Sequence, residues 1–568
     1  MNKSVNNSLN NSLGKSFTAM PGSARAARRG LAAWRVPAWL SHAAVLPVVF
    51  FSFALVLRLI DLGSRPFWLD EVFTMQRVSL KPAALVHDSL LNHHMPSFFL
   101  MLSALVPLGD PQFWLRLPSA AFGAVSVVMV YLIGSRVAGR TAGAFAALIL
   151  CLSPTALAFS QEARSYTMEM SLILVALFGI TMLALDIPAA STRWREMGSA
   201  RWVWAAFTLG SAAALDVLGD GLPWVITANL IGAVMAWKSP NRAVLIRNFV
   251  IADLVIAALC VPFYIMMAMT VQNGFSHSFD WIPPLTVSRI WYNLGSIYLM
   301  RVADWVTFKL MAVPTPPLLM WVIDVGILAS VGLGAWKLRQ RPAILAVLGL
   351  SFLFLPIETI VISIWKPLLL PRYILWSSAP FAILAGIGAS IVVSTLPKRG
   401  RMAAFAGITA LLLVNLLPYY SAETKPRWDI AAQMLGSEVA PGDVVYLNDQ
   451  GALPILRMYL TPGAAMVVLK DSDGDLQHAE AAQLQGKRVW AVFGHAGQSA
   501  SKREWPQFYQ HIAPLGTPVQ IQMAGNRIYI TEFDATSHGV SENCVPPSPL
   551  PQGSAAQLAP MAAAPPCS

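Results

Sequence analysis

The chain has 568 residues, 56% of them hydrophobic and 12% charged, with a mean hydropathy of +0.56. Ordinary globular domains carry about 25% charged residues, so this composition excludes a soluble multidomain enzyme and indicates a polytopic α-helical membrane protein. The formal net charge of +11 does not mark a nucleic-acid partner, because the basic residues sit in short loops between apolar runs.

Residues 1–42 are Asn/Ser-rich and then basic (Arg25, Arg28, Arg29, Arg35), which reads as a cytoplasmic N-terminal segment. The apolar run that follows is too long for a signal-peptide core and lacks a convincing cleavage site, so it reads as a retained helix. Apolar runs near 43–60, 117–134, 141–158, 167–185, 202–218, 222–237, 249–269, 316–336, 343–363, 373–395 and 403–418 make about eleven transmembrane helices, each close to the length that a hydrocarbon core of about 30 Å requires. Together they define a transmembrane domain over 43–418. The run 97–108 is too short to span and reads as an interfacial or re-entrant helix. With the N-terminus in the cytoplasm, the clusters Arg136/Arg140, Arg193/Arg195/Arg201, Lys238/Arg242/Arg247, Lys337/Arg339/Arg341 and Lys398/Arg399/Arg401 all fall on the cytoplasmic side, as the positive-inside rule requires. Segments 61–116, 159–166, 270–315, 364–372 and everything after 418 then lie on the opposite face, the periplasm if the membrane is a bacterial inner membrane.

Residues 419–535 are more polar, with short apolar runs at Asp443–Leu447, Ala465–Leu469, Val489–Phe493 and Ile528–Glu532 that read as strands, and helical stretches near 450–460 and 500–511 between them. This is a C-terminal non-cytoplasmic α/β domain. Residues 536–568, rich in Pro, Ala and Ser and nearly uncharged, read as a disordered tail. Cys151 and Cys260 lie in apolar runs and Cys544 and Cys567 in the tail, with no metal-ligand spacing and no disulfide framework.

In a chain this poor in charge, each ionisable group near the membrane needs a reason. Asp70 and Glu71, in Pro66-Phe-Trp-Leu-Asp-Glu71 just after the first apolar run, are the leading candidates for chemistry. A glycosyl transfer to a hydroxyl needs a carboxylate to take the acceptor proton as the sugar carbon becomes positive; the alternative is a solvated loop acid beside an interfacial Trp68. His93 and His94, before Met95-Pro96, suit substrate contact. Adjacent residues do not share a helical face, so this pair alone is no metal site; the alternative is a helix start at Pro96 with one histidine as a cap. Glu162, Arg164 and Tyr166 fall in Ser160-Gln-Glu-Ala-Arg-Ser-Tyr166 between two apolar runs, where Arg164 suits a phosphate and the alternative is a local Glu–Arg pair. Arg372 and Tyr373, in Leu370-Pro-Arg-Tyr373, repeat the pattern, since a guanidinium fork matches a phosphate, the alternative being a snorkelling side chain. Arg58 is similar and more ambiguous. The outer loop 270–315 carries His277, Asp280, Arg289, Arg301 and Asp304 without a role, and Asp471-Ser-Asp-Gly-Asp475 fails the spacing of a calcium loop.

Together the stretches Arg58–Glu71, His94-Met-Pro96, Arg116-Leu-Pro-Ser119 with Gly123, Ser160–Tyr166, Pro371-Arg-Tyr373 and Arg427–Asp443 resemble the GT-C glycosyltransferases. The likeness is to the bacterial branch related to protein O-mannosyltransferases and the lipid A aminoarabinose transferase, and it covers most of 43–535. It implies a polyprenyl-phosphate-linked sugar donor, transfer on the non-cytoplasmic face with inversion, and Asp70 as the base. The acceptor would be a hydroxyl of a lipid, glycan or protein, and Glu71 or a histidine would position it. The scheme calls for no cofactor, with a divalent metal left open. The rival readings are a lipid or polysaccharide transporter or flippase, and a catalytically inactive assembly partner. Transporters place ionisable groups near the midplane, often in repeated halves, whereas here the charges gather at one face and no internal repeat is visible.

Overall fold

The computed structural model describes residues 45–271, 282, 284–301, 316–421, 424–447, 452–460, 467–470, 487–494, 517–525 and 528–534. The basic N-terminal segment, the tail 536–568, the helical stretch near 500–511, the 471–475 stretch and His277, Asp280 and Asp304 lie outside these residues.

Each of the eleven apolar runs coincides with helix. In hydrocarbon the backbone must satisfy its own polar groups, and a helix does so within one segment. Seven helices among the described residues are long and apolar enough to cross a membrane: Pro111–Ala138, Tyr166–Leu185, Arg242–Thr270, Pro317–Leu338, Pro342–Ile362, Pro371–Ser394 and Lys398–Ser421. The run expected as a single span at 141–158 is broken. It consists of Arg140–Cys151 and Pro154–Ser160, bent by 63°, and it makes an eighth span if counted as one. Pro154 has no N–H to continue the ladder, so it starts a new helix, and Ser153 Oγ caps that helix by accepting from the Ala156 N–H at 3.4 Å. The helices Val45–Leu59, Ala200–Leu215 and Leu222–Lys238 have 15, 16 and 17 residues, so the expected count of eleven rests on helices shorter than the usual spanning length. The stretch Ser97–Leu108 is short, as expected.

Close backbone approach holds the bundle where lipid offers no hydrophobic drive between helices. The helix Ser378–Ser394 packs against both Arg140–Cys151 and Pro317–Leu338. A Cβ on Gly388 would stand 1.7 Å from the Ser330 carbonyl oxygen, and one on Gly386 would stand 2.4 Å from the Ala146 nitrogen. Exposed tryptophans gather at the two ends of the bundle. Trp202, Trp237 and Trp336 lie, by connectivity, at one end. There Arg201, Lys238 and Arg339 stand 5.5, 6.0 and 4.5 Å from their rings. Trp291, Trp321 and Trp365 lie at the other end. Such paired aromatic girdles mark the two membrane–water boundaries.

The C-terminal domain is a five-stranded mixed sheet of order β2-β1-β3-β5-β4. The strands are β1 (Val444–Leu447), β2 (Val467–Lys470), β3 (Arg488–Phe493), β4 (Thr517–Ala524) and β5 (Ile528–Asp534). β1 pairs in parallel with β2 and β3, and β5 is antiparallel to β3 and β4. Four of the five strands match the alternation read in the sequence. The edge strand β4 does not, because Val519 and Met523 are exposed while Gln520 and Gln522 turn to the Glu438 carboxylate of helix Trp428–Glu438. Asp443, before β1, accepts from the Ala440 N–H at 2.9 Å, Trp490 Nε1 at 3.0 Å and Arg488 Nε at 3.0 Å. Burial works to raise its pKa, but these donors prevail and hold it below the usual carboxylate value.

Candidate active site

The site lies at the end of the bundle opposite the basic girdle, where the first outer loop returns from helix Val45–Leu59. Arg116 organises that loop. All five of its N–H groups are engaged: Nε and Nη2 each stand 2.7 Å from Glu71 Oε1 and Oε2, Nη1 reaches the carbonyls of Leu62 and Arg65 at 2.9 and 2.8 Å, and Nη2 also reaches Pro66 O at 3.0 Å. Glu71 is fully buried. Its Oε1 also accepts from the Ala163 N–H at 2.9 Å and its Oε2 from the Trp68 N–H at 3.4 Å. Burial works to raise its pKa, yet Arg116 beside it wins and holds the group below its ordinary value. Glu71 therefore has no face left for an acceptor; it ties the first outer loop to the turn after Ser160.

Asp70, one residue earlier, points elsewhere. The helix Leu69–Val78 starts here, so successive side chains diverge by about 100°. Asp70 Oδ2 meets Arg372 Nη1 at 2.8 Å, with 24% of the Asp70 side chain and 13% of the Arg372 side chain exposed. Arg372 sits in the tight 3₁₀ turn Pro371–Ser377, which leads into the helix Ser378–Ser394, and its guanidinium carbon is 5.4 Å from the Tyr373 ring centroid. The sequence candidates Asp70, Arg372 and Tyr373 are thus in one place although about 300 residues separate them.

Arg164 is buried beside them, 5.7 Å over the Tyr166 ring. Its Nε has no hydrogen-bond partner among the described residues. Tyr166 itself is buried, 5.5 Å from the Phe159 ring. The local Glu162–Arg164 pair raised as an alternative is not formed. Glu162 Oε1 instead accepts from Lys425 Nζ at 2.6 Å, and Lys425 stands 4.9 Å over the Trp68 ring. Burial, and secondarily Glu71 and Asp70, push the Glu162 carboxyl up against the opposing pull of Lys425.

The histidines divide. His93 adopts φ +60° as the residue that ends helix Pro82–Leu91, with its N–H on Leu90 O at 3.1 Å and the His94 N–H on Ser89 O at 2.8 Å. This is a Schellman stop, a position that favours glycine or asparagine. His94 packs edge-on to Phe99 at 5.9 Å. Burial, then the Arg164 and Arg77 guanidiniums, hold its pKa well below 6.5, so it is neutral at pH 7. Arg58 does not reach this surface. It is fully buried, donating from Nε to Ser160 Oγ at 3.0 Å and from Nη1 to Ala54 O at 3.1 Å. Gly123 leaves the room for that bond, since a Cβ there would lie 2.2 Å from Ser160 Oγ and 2.6 Å from Arg58 Nε.

Sequence reading missed three residues. Arg116 was noted only as part of a matching stretch. Arg77, 6% exposed, pairs with Asp88 at 2.6 Å and stacks 4.6 Å over Phe99 beside His94. Lys425 enters from the link to the C-terminal domain. No signal in the sequence singled out Arg77, which lies between Glu71 and Lys81, or Lys425, which lies between Glu423 and Arg427. Arg301, from the outer loop, pairs with Asp324 at 2.7 Å. Among the described residues no three His, Cys, Asp or Glu side chains are grouped to hold a metal ion.

No family model matches the chain. It is 33% identical over 150 residues to the dolichyl-monophosphooligosaccharide–protein glycotransferase AglB of Haloferax volcanii, 26% of this chain and 13% of that protein. It is 25% identical over 395 residues to the undecaprenyl phosphate-alpha-4-amino-4-deoxy-L-arabinose arabinosyl transferase 2 of Pseudomonas fluorescens, 65% of this chain and 62% of that protein. The chain thus spans less than two thirds of either curated relative. In three dimensions it is similar to ArnT from Cupriavidus metallidurans in the apo state, with a TM-score of 0.56 at 15% identity over 87% of this chain and 99% of that one. The likeness extends to ArnT bound to undecaprenyl phosphate, with a TM-score of 0.53 at 15% identity over 85% and 97% of the two chains. The chain thus shares the fold of the ArnT structures and is similar in part of its sequence to two curated glycosyltransferases, AglB and the aminoarabinose arabinosyl transferase.

Proposed function

We propose that this chain transfers a sugar from a polyprenyl-phosphate donor to an acceptor hydroxyl, with inversion, on the membrane face opposite the basic loops. In a bacterial inner membrane that face is the periplasm. The observation that carries this reading is the Asp70–Arg372 pair, a partly exposed carboxylate and guanidinium 2.8 Å apart at the outer end of the bundle. The names of the relatives support the donor class: one acts with undecaprenyl phosphate-linked aminoarabinose and one carries a dolichyl-phosphate name.

The chemistry follows from the groups present. In a single displacement the acceptor oxygen bonds to the anomeric carbon as the bond to the donor phosphate breaks, and the acceptor proton passes to Asp70. The demand on this base is modest, because the hydroxyl becomes acidic only as its oxygen bonds to carbon. The phosphate leaves as an anion and needs fixed positive charge rather than a proton. Arg164, with a bare buried Nε, and Arg372 supply it. His94, neutral at pH 7, can donate or accept a hydrogen bond to a sugar hydroxyl without adding charge.

The testing experiment is Asp70→Asn, read by mass analysis of lipid-linked sugars and envelope glycans in cells with and without the protein. The variant keeps the shape and cannot take a proton, so transfer falls by about 10²–10⁴-fold while the protein still accumulates in the membrane. Near-normal transfer by Asp70→Asn defeats the reading.

A further inference from the structure

Two neighbouring residues of the link between the last span and the C-terminal domain enter the site. Thr424 Oγ1 accepts a hydrogen bond from Arg65 Nη1, and Lys425 Nζ donates to Glu162 Oε1 at 2.6 Å. Lys425 and Glu162 are 10% and 6% exposed. The second carboxylate oxygen, Glu162 Oε2, is buried and has no hydrogen-bond partner among the described residues. Leaving a buried carboxylate oxygen bare is costly, so an uncompensated one beside a reacting centre points to a ligand donor that satisfies it. The ligand proposed for this site is rich in such donors, the hydroxyls of a sugar.

We infer that Lys425 is a positioning residue for the transfer: by pairing with one oxygen of Glu162 it holds the carboxylate so that Oε2 accepts a hydroxyl of the bound sugar. The inference rests on the proposed function and adds to it a device set by the C-terminal domain. The groups facing Glu162 come from every element around it. Lys425 comes from the link, Glu71 and Asp70 from the first outer helix, Arg116 from the start of the helix Leu117–Ala138, Arg372 from its tight turn, and Tyr419 from the end of the last span. Among them Lys425 is the group bonded to the carboxylate. Burial raises the Glu162 pKa and Lys425 lowers it, so removing Lys425 lets the carboxyl take up a proton at higher pH.

The experiment uses the full chain in cells and reads the glycan mass increment that depends on the wild-type protein, across external pH 5–8. Lys425→Met lowers transfer by about 10–100-fold, the range of a lost charge-assisted hydrogen bond, and moves the acid limb of the profile to higher pH. Lys425→Arg restores most of the transfer and the limb. The double variant Glu162→Gln/Lys425→Met leaves no orphan charge and so accumulates normally, yet transfer stays low and the limb assigned to Glu162 is gone. Wild-type transfer by the double variant, or equal transfer by Lys425→Met and Lys425→Arg, overturns the inference and reduces the pair to a structural tie. The functional reading fails separately: there the wild-type protein itself produces no mass increment, or Asp70→Asn keeps it.

Discussion

At Glu71, replacing the carboxylate by an amide leaves the Arg116 guanidinium, 1% exposed, without its counter-charge. Breaking one side of a buried pair costs about 3–5 kcal/mol. Glu71→Gln should therefore lower the thermal unfolding temperature and the yield of membrane-inserted protein, while Asp70→Asn, at a 24% exposed side chain, leaves both nearly unchanged. Arg372 gives the complementary test. Arg372→Ala should weaken donor use strongly and Arg372→Lys should restore only part of it, since lysine has no planar fork to hold Asp70 and a phosphate oxygen together. Full transfer by both would leave Arg372 as an interface residue. The adjacent acids show what one sequence can and cannot reveal. That Asp70 and Glu71 are candidates was legible from their place in a charge-poor chain. Their different surroundings were not, because they depend on Arg116, 45 residues from Glu71, filling both oxygens of Glu71 and neither of Asp70.

At the scale of single elements, the helices were legible because hydrocarbon allows few alternatives, and the break at 151–154 was not, although Ser153-Pro154 is a cap followed by a first-turn proline. An apolar run read by hydropathy alone hides such a joint. In the C-terminal sheet, β4 escaped because Gln520 and Gln522 turn to the half-buried Glu438 while Val519 and Met523 are exposed, which inverts the pattern that alternation relies on. Asp443 ties this sheet together, and its depressed pKa gives a prediction with a definite sign. The stabilisation is present above the unfolded carboxylate value of about 3.9 and is lost as the pH falls through the lower folded value. Limited proteolysis of the full chain between pH 2 and 6 should show the C-terminal domain opening only at the acid end. Asp443→Asn should make it easier to cleave at pH 6, and cleavage should then depend less on pH, because the group that titrates has been removed.

For the whole molecule, we propose an orientation from one asymmetry, cations beside the tryptophans at one end and the candidate site at the other. A reporter fused near residue 398 should be active only in the cytoplasm and one fused after 420 only outside it; the same compartment for both would change the number of spans. The C-terminal domain is seated on the first outer loop: the Phe67 N–H donates to Tyr459 Oη at 2.5 Å, as does Gln112 Nε2 at 3.3 Å. Burial pushes that phenol up to about 12, so it stays un-ionised at any physiological pH. Gln161 closes the other side, with Nε2 on the carbonyls of Arg58 and Ile60 at 3.0 and 2.7 Å and Oε1 accepting from Tyr419 Oη at 2.5 Å. That last bond joins residues 258 positions apart. A ribosome adding about 5–20 residues per second therefore delivers the two partners roughly 13–50 s apart. Through that interval the early helices are already in the lipid while Gln161 and Glu162 wait for Tyr419 and Lys425. The site is finished by the end of translation rather than by its beginning, and a chain stalled before its last helix carries Asp70 and Arg372 without the residues that close the site around them.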